Sequence, residues 1–203
     1  MGAPSLTQIV RRRRMTRAFR TDPVPDELLD SLVDLASRAP SAGKTQGWHL
    51  VVLSGDETAR FWDVTLPPDE RAEFAFPHLL DAPVLALPLA DPQAYLTRYS
   101  EPDKAGSGLG SSTSSWPAPY WTIDTAMAVM TLLLAAEDAG LGALFFGVFD
   151  REAALRAAVG IPDGFDLLGA VALGYPTDGE TRAGGSATRR RRRPAEIIHR
   201  GGW

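Results

Sequence analysis

Two short segments carry side chains suited to gripping an anion. Arg13-Arg14-Met15-Thr16-Arg17-Ala18-Phe19 presents guanidinium groups where a helix gives way to extended chain. Arginine is the side chain best shaped for bidentate phosphate contacts. About 26 residues downstream, Pro40-Ser41-Ala42-Gly43-Lys44-Thr45-Gln46-Gly47-Trp48 forms a polar loop between a helix and a strand. A third basic segment, Arg189 to Arg193, lies near the C-terminus. Nineteen of the 21 basic residues are arginine; without the runs at 11–14 and 189–193, 12 basic face 25 acidic side chains, an acidic body of about −13. Arginine runs can also be solvated tails or nucleic-acid patches. An acidic body repels DNA, however, and the interleaved aromatics of a specific reader are missing.

Periodicity supplies the elements that must position these segments. Residues 5 to 14 read as a short helix and Met15 to Arg20 as its extended exit. Asp26 to Arg38 is an amphipathic helix with Leu28, Leu29, Leu32, Val33, Leu35 and Ala36 on one face, and Pro40 stops it. His49 to Leu53 and Val84 to Leu89 read as strands, with a helix over Glu57 to Val64. Residues 100 to 119, containing the run GSGLGSSTSS, read as a structureless, mobile lid. A long helix over Tyr120 to Ala139, a Gly140 to Gly142 turn, a strand through Phe146, a helix from about Arg151 to Val159 capped by Asp150, and a strand over Leu167 to Tyr175 follow. The alternation indicates an α+β fold of one domain over residues 1–203, with a C-terminal extension at about 182–203.

Several chemistries are excluded or unsupported. The chain has no cysteine, so thiolate catalysis, disulfides and metal-thiolate sites are ruled out, and its three histidines are far apart. Gly43-Lys44-Thr45 lacks the first glycine of a P-loop, because Arg38 stands there. Gly140-Leu141-Gly142 begins a strand instead of leaving one, so a Rossmann domain is not supported. No GxSxG elbow is present. The longest apolar stretch, Trp121 to Ala136, contains Asp124 and reads as a buried helix rather than a bilayer span. The N-terminus lacks the apolar core of a secretory signal, so the expected location is cytoplasmic.

The ordered set of segments resembles the nitroreductase family, whose pattern runs roughly Arg-Arg-Ser-x-Arg-x-Phe, an amphipathic helix, then Pro-Ser-x-x-Asn-x-Gln-x-Trp. Gly140 to Gly147 after the long helix, Gly174-Tyr175-Pro176, and Arg189 to Pro194 also match in order. The resemblance implies a central, mostly antiparallel sheet surrounded by helices, in an intertwined homodimer with FMN at the subunit interface. It implies that Arg13, Arg14 and Arg17 hold the FMN phosphate and neighbouring polar atoms, beside Met15. Pro40, Ser41, Ala42, Lys44 and Gln46 would lie along the isoalloxazine and ribityl chain, the Phe146-Gly147 backbone would approach flavin N5, and Arg190 and Arg192 would close on the phosphate. Two residues depart from the pattern: Met15 replaces a hydroxyl residue, and Lys44 replaces an asparagine. An ammonium near N1 and O2 would favour the anionic reduced flavin and raise its potential.

The implied activity is hydride transfer from NAD(P)H through flavin N5 to a small organic acceptor of nitro, quinone or enone type, by a ping-pong mechanism with no catalytic side chain. Arg98, Tyr99, Lys104, Trp116 and Tyr120 flank the lid and are candidates for a substrate pocket. Trp48 and the apolar face of the Tyr120 to Ala139 helix read instead as core or subunit interface. Two alternatives stay open: oxygen-dependent flavin fragmentation, as in the benzimidazole-forming branch, and a non-catalytic flavin- or deazaflavin-binding or storage protein. No nucleic-acid, membrane or metal partner is expected.

Overall fold

The computed structural model describes residues 4–177 and 188–203. The sheet is built from β1 (Trp48–Ser54), β2 (Val84–Ala90), β3 (Gly142–Phe146), β4 (Asp166–Leu167) and β5 (Ala170–Gly174), in the order β1-β2-β5-β3 with β4 beside β2. Every strand pair is antiparallel, and an isolated parallel bridge joins Met15 to Ala143 at the outer edge of β3. The helices are α1 (Leu6–Arg12), α2 (Asp26–Ala36), α3 (Ala59–Thr65), α4 (Pro92–Tyr99), α5 (Tyr120–Asp138) and α6 (Glu152–Val159). This is an α+β arrangement, an antiparallel sheet surrounded by helices, as the sequence leads one to expect.

The two central strands are apolar on both faces because both faces are covered. Val84 and Ala86 of β2 and Val171 and Leu173 of β5 pack against α2 and α5. Leu85, Leu87 and Leu89, with Ala170 and Ala172, pack against Phe61 and Trp62 of α3 and Leu155 of α6. Gly142 admits the bridging segment: a Cβ there would lie 2.8 Å from the Thr16 side chain, so only glycine allows this approach to β3. No helix among the described residues is long and apolar enough to cross a membrane.

Several elements differ from the sequence expectations. Ser5 caps α1 through a capping box with Gln8, and the helix stops at Arg12, with Arg13 as C-cap. The last turn of the Asp26 helix gives way at Ser37. The helix expected from Glu57 begins as a 3₁₀ turn over Gly55–Thr58. The N-cap of α6 is Arg151, in the left-handed conformation, and not Asp150. The strand expected over Leu167 to Tyr175 is two strands, because Gly169 has φ +136° and breaks the extended chain between them. Helix α4 was not anticipated, although Asp91 caps it by accepting from Ala94 N and Pro92 starts it.

Nor is 100–119 structureless. It holds 3₁₀ turns at Ala105–Ser107 and Thr113–Ser115, and Trp116 is buried with Tyr95 and Trp121, its Nε1 donating to Leu109 O at 2.9 Å. Aromatic clustering supplies an anchor that the Gly/Ser composition conceals. Residues 178–187, including the start of the expected C-terminal extension, lie outside the described residues.

Candidate functional site

The loop after α2 has an unusual backbone. Gly43, Lys44 and Gln46 have φ of +62°, +56° and +53°; Arg151 supplies the only other positive φ at a non-glycine residue among the described residues. Left-handed backbone at lysine and glutamine costs on the order of 1–3 kcal/mol each and persists only where its surroundings fix it, most often at functional sites. Here the fixing groups are visible. Asp124, a buried residue of α5, accepts from Ala42 N at 2.8 Å and from the Tyr95 hydroxyl at 2.7 Å, both on Oδ2. Ser41 Oγ accepts from Gln46 N at 2.9 Å, and Arg98 Nε donates to Gly43 O at 2.9 Å. Burial pushes the Tyr95 phenol well above its ordinary pKa, and the Asp124 carboxylate that accepts its proton adds to the shift. Sequence reasoning assigned Asp124 no part in the site; its one signal is a carboxylate inside an otherwise apolar helix.

A cleft of about 610 Å³ is lined by Pro40, Ser41, Lys44 and Gln46 of this loop, with Asp34, Ser37, Arg38 and Ala39 of the preceding helix end. The loop residues expected at a cofactor therefore stand together, with Ala42 turned inward by its bond to Asp124.

The arginine segment lies elsewhere. Arg13 is half-buried, and its Nη1 is buried with no hydrogen-bond partner, while Arg14 is exposed. Met15 sits beside Ala143, and Thr16 N donates to Ala143 O at 3.0 Å. Arg17 donates to Met15 O and lies 5.3 Å from the centroid of Phe76. Phe146 stacks on Trp62 with ring centroids 6.0 Å apart, and the exposed Phe149 ring covers the Cα of Gly147.

Within one chain these two halves are far apart. Four interstrand spacings separate the Met15 segment from β1, on the order of 19 Å. Helix α5 gives an independent measure: Asp124 holds the loop near its first turns, Glu137 pairs with Arg12 near its last, and 13 residues of helix span about 20 Å.

Other expected site residues are engaged differently. Trp116 faces the core, as described, and is not a free pocket wall. Arg98 is bound by Gly43 O, Glu101 and Asp103, and Lys104 lies 5.8 Å from the Tyr99 ring centroid. Tyr120 keeps one side exposed beside Trp116. Arg190 forms a bidentate pair with Glu196, and Arg192 donates to Glu196 O, so their donors are spent inside the tail instead of pointing with Arg13 and Arg14 at a shared anion. Glu196 lies only six and four residues from these arginines, and a local pair closes more readily than a long-range one. No group of three or more His, Cys, Asp or Glu among the described residues is placed to hold a metal ion.

Comparison with known proteins matches this architecture. The chain is 30% identical to an NADH dehydrogenase of Thermus thermophilus over 181 residues, covering 82% of this chain and 84% of the relative. It is 30% identical to a 5,6-dimethylbenzimidazole synthase of Rhodobacter capsulatus over 211 residues, covering 98% and 90%. A solved structure of an Exiguobacterium sibiricum nitroreductase in complex with FMN superimposes with a TM-score of 0.72 at 19% identity, covering 98% of each chain. The model of the nitroreductase family matches residues 10–175, and the chain belongs to that family.

Proposed function

We propose that this chain is an FMN-dependent NAD(P)H oxidoreductase whose cofactor site is completed by a second copy. The observation that carries the reading is the buried, unpartnered Nη1 of Arg13 in a chain of this family. A buried cationic donor without a partner is costly, and a phosphate would supply both the charge and the acceptor. Arg13 and Arg14 would hold the FMN phosphate. Ser41, Lys44 and Gln46 would line the ring's polar edge, and the Phe146-Gly147 backbone would lie against its reacting side. When bound, FMN supplies the two-electron chemistry that passes a hydride from NAD(P)H to a small nitro, quinone or enone acceptor.

The protein's share of that chemistry is position and electrostatics. Asp124, Tyr95 and Arg98 hold the loop turn in a conformation its residues would not adopt alone. Lys44, left-handed and exposed, brings a positive charge to the cleft. No side chain is assigned as nucleophile or general acid.

The separation of the two halves favours a homodimer. Along α5, Ile123 (41% exposed), Met127 (36%) and Met130 (41%) form an apolar stripe at helical spacing. Packing this stripe about a two-fold axis places the loop end of one α5 beside the arginine end of its partner, an isologous contact.

The test is an absorption spectrum after reconstitution with FMN and desalting, followed by anaerobic NADPH and then NADH. The reading expects a retained flavin band that bleaches on adding reductant; no retained flavin overturns it. The similarity to a benzimidazole synthase over 98% of this chain favours one second reading, oxygen-dependent flavin fragmentation. That reading expects retained flavin with little NAD(P)H bleaching and loss of intact flavin once oxygen is admitted to the reduced protein.

A further inference from the structure

We infer that Arg98 is a positioning residue that ties the 100–119 segment to the turn Ala42–Gln46; the inference rests on the cofactor role proposed for that turn. Arg98 stands in the last turn of α4, at the boundary between that helix and the segment. Its guanidinium is divided between two tasks. Nε donates to Gly43 O at 2.9 Å, while Nη1 and Nη2 grip Asp103 Oδ1 and Oδ2 at 2.7 and 2.8 Å, with Glu101 Oε2 accepting from Nη1 at 3.0 Å. A planar fork of fixed geometry cannot shift at one end without shifting at the other.

Gly43 C=O is the carbonyl immediately before Lys44, so Arg98 sets the peptide plane from which the Lys44 side chain departs. Asp124 fixes the preceding residue through Ala42 N. The left-handed turn is thus held from the core by Asp124 and from the 100–119 segment by Arg98. The Tyr99 ring also packs on Gly43, where a Cβ would lie 3.0 Å from its edge. Loss of the Asp103 contact loosens the fork and weakens its hold on the Gly43 carbonyl without removing the Nε bond. Arg98 therefore acts on the cofactor through the turn and need not touch it.

Two substitutions separate this coupling from general stability. Asp103→Asn breaks the charged fork and leaves the Gly43 bond possible, whereas Arg98→Lys keeps a charge near Asp103 and cannot reproduce the Nε bond. The measurements are the FMN dissociation constant by fluorescence titration of the full-length apoprotein and amide hydrogen exchange at Gln46, whose N–H is held within the turn. Asp103→Asn is expected to weaken FMN binding about 3-fold, within the range of an exposed ion pair. Arg98→Lys is expected to weaken it roughly tenfold, as for the loss of one charge-assisted hydrogen bond. The double variant should match Arg98→Lys alone, because Asp103 acts only through Arg98, and Gln46 should exchange faster in all three. Unchanged FMN affinity in Asp103→Asn while the wild type binds FMN overturns the inference alone, as does an undiminished effect of Asp103→Asn in the Arg98→Lys background. A wild type that binds no FMN overturns the functional reading and this inference with it.

Discussion

Replacing Asp124 with alanine strands two donors at once. Ala42 N–H and the Tyr95 hydroxyl both donate to Asp124 Oδ2, and Asp124 and Tyr95 are buried at 6% and 1% exposure. Each donor left without an acceptor costs about 1–3 kcal/mol, so the pair costs roughly 2–6 kcal/mol. The better helix propensity of alanine returns only about 0.5 kcal/mol. Taking a net loss of about 3.5 kcal/mol, and a shift of about 2–4 °C per kcal/mol for a chain of this size, Asp124→Ala should lower Tm by roughly 7–14 °C. The turn Ala42–Gln46 should loosen as well. The assay is thermal or urea unfolding of a four-member cycle with Tyr95→Phe. Alone, Tyr95→Phe removes one bond to a charged acceptor and should cost about 1.5–3 kcal/mol. In the Asp124→Ala background it removes a hydroxyl that already lacks its partner and should cost nothing or stabilise. An equal cost of Tyr95→Phe in both backgrounds would refute the bond between Tyr95 and Asp124, and with it the account of how Asp124 is held beneath the turn.

Further outcomes follow from the same geometry. Lys44→Asn places a residue that tolerates the left-handed region at φ +56°, so it should stabilise the chain by about 0.5–1 kcal/mol while lowering the potential of bound flavin through loss of the ammonium charge. Unfolding and a potentiometric titration read the two effects separately, and an unchanged potential contradicts the role given to Lys44. The pH dependence of stability should have an alkaline limb from Tyr95. Its folded pKa is raised, so its contribution is complete below the ordinary tyrosine value near 10 and is lost as pH rises beyond it, when the unfolded chain ionises and the folded chain does not. Urea midpoints from pH 8 to 11 should show that limb in the wild type and a shallower one in Tyr95→Phe.

The elements legible in the sequence are those whose pattern is local. The apolar face of α2, the apolar run of β2 and the length of α5 are written in periodicity, and their packing about one sheet follows. Helix α4 was missed because eight residues with a weak apolar face give little periodicity, although the Asp91-Pro92 start was readable. The break between β4 and β5 depends on the φ of Gly169, which composition does not reveal. At the candidate site, residue types and order announced an anion and pointed to a family. The partners of Asp124, 82 and 29 residues away, are a product of folding and carry no sequence signal. Nor does any local pattern tell that Lys44 and Gln46 are left-handed, since neither is glycine. The separation of the two halves arises from strand order, which no single segment encodes.

The central claim is that cofactor is held by the arginine end of one chain and the Pro40–Gln46 loop of another, and mixed dimers test it most directly. One variant carries Arg13→Ala and Arg14→Ala; the other carries Ser41→Trp, whose bulk blocks the cleft. Neither homodimer should retain FMN. After co-refolding equal amounts, half of the dimers combine one chain of each kind, and in these one of the two sites has both halves intact. The account predicts FMN retained at about one quarter of wild-type stoichiometry. No flavin in the mixed sample, with dimers formed and both variants folded, would place both halves of the site in one chain and contradict the account.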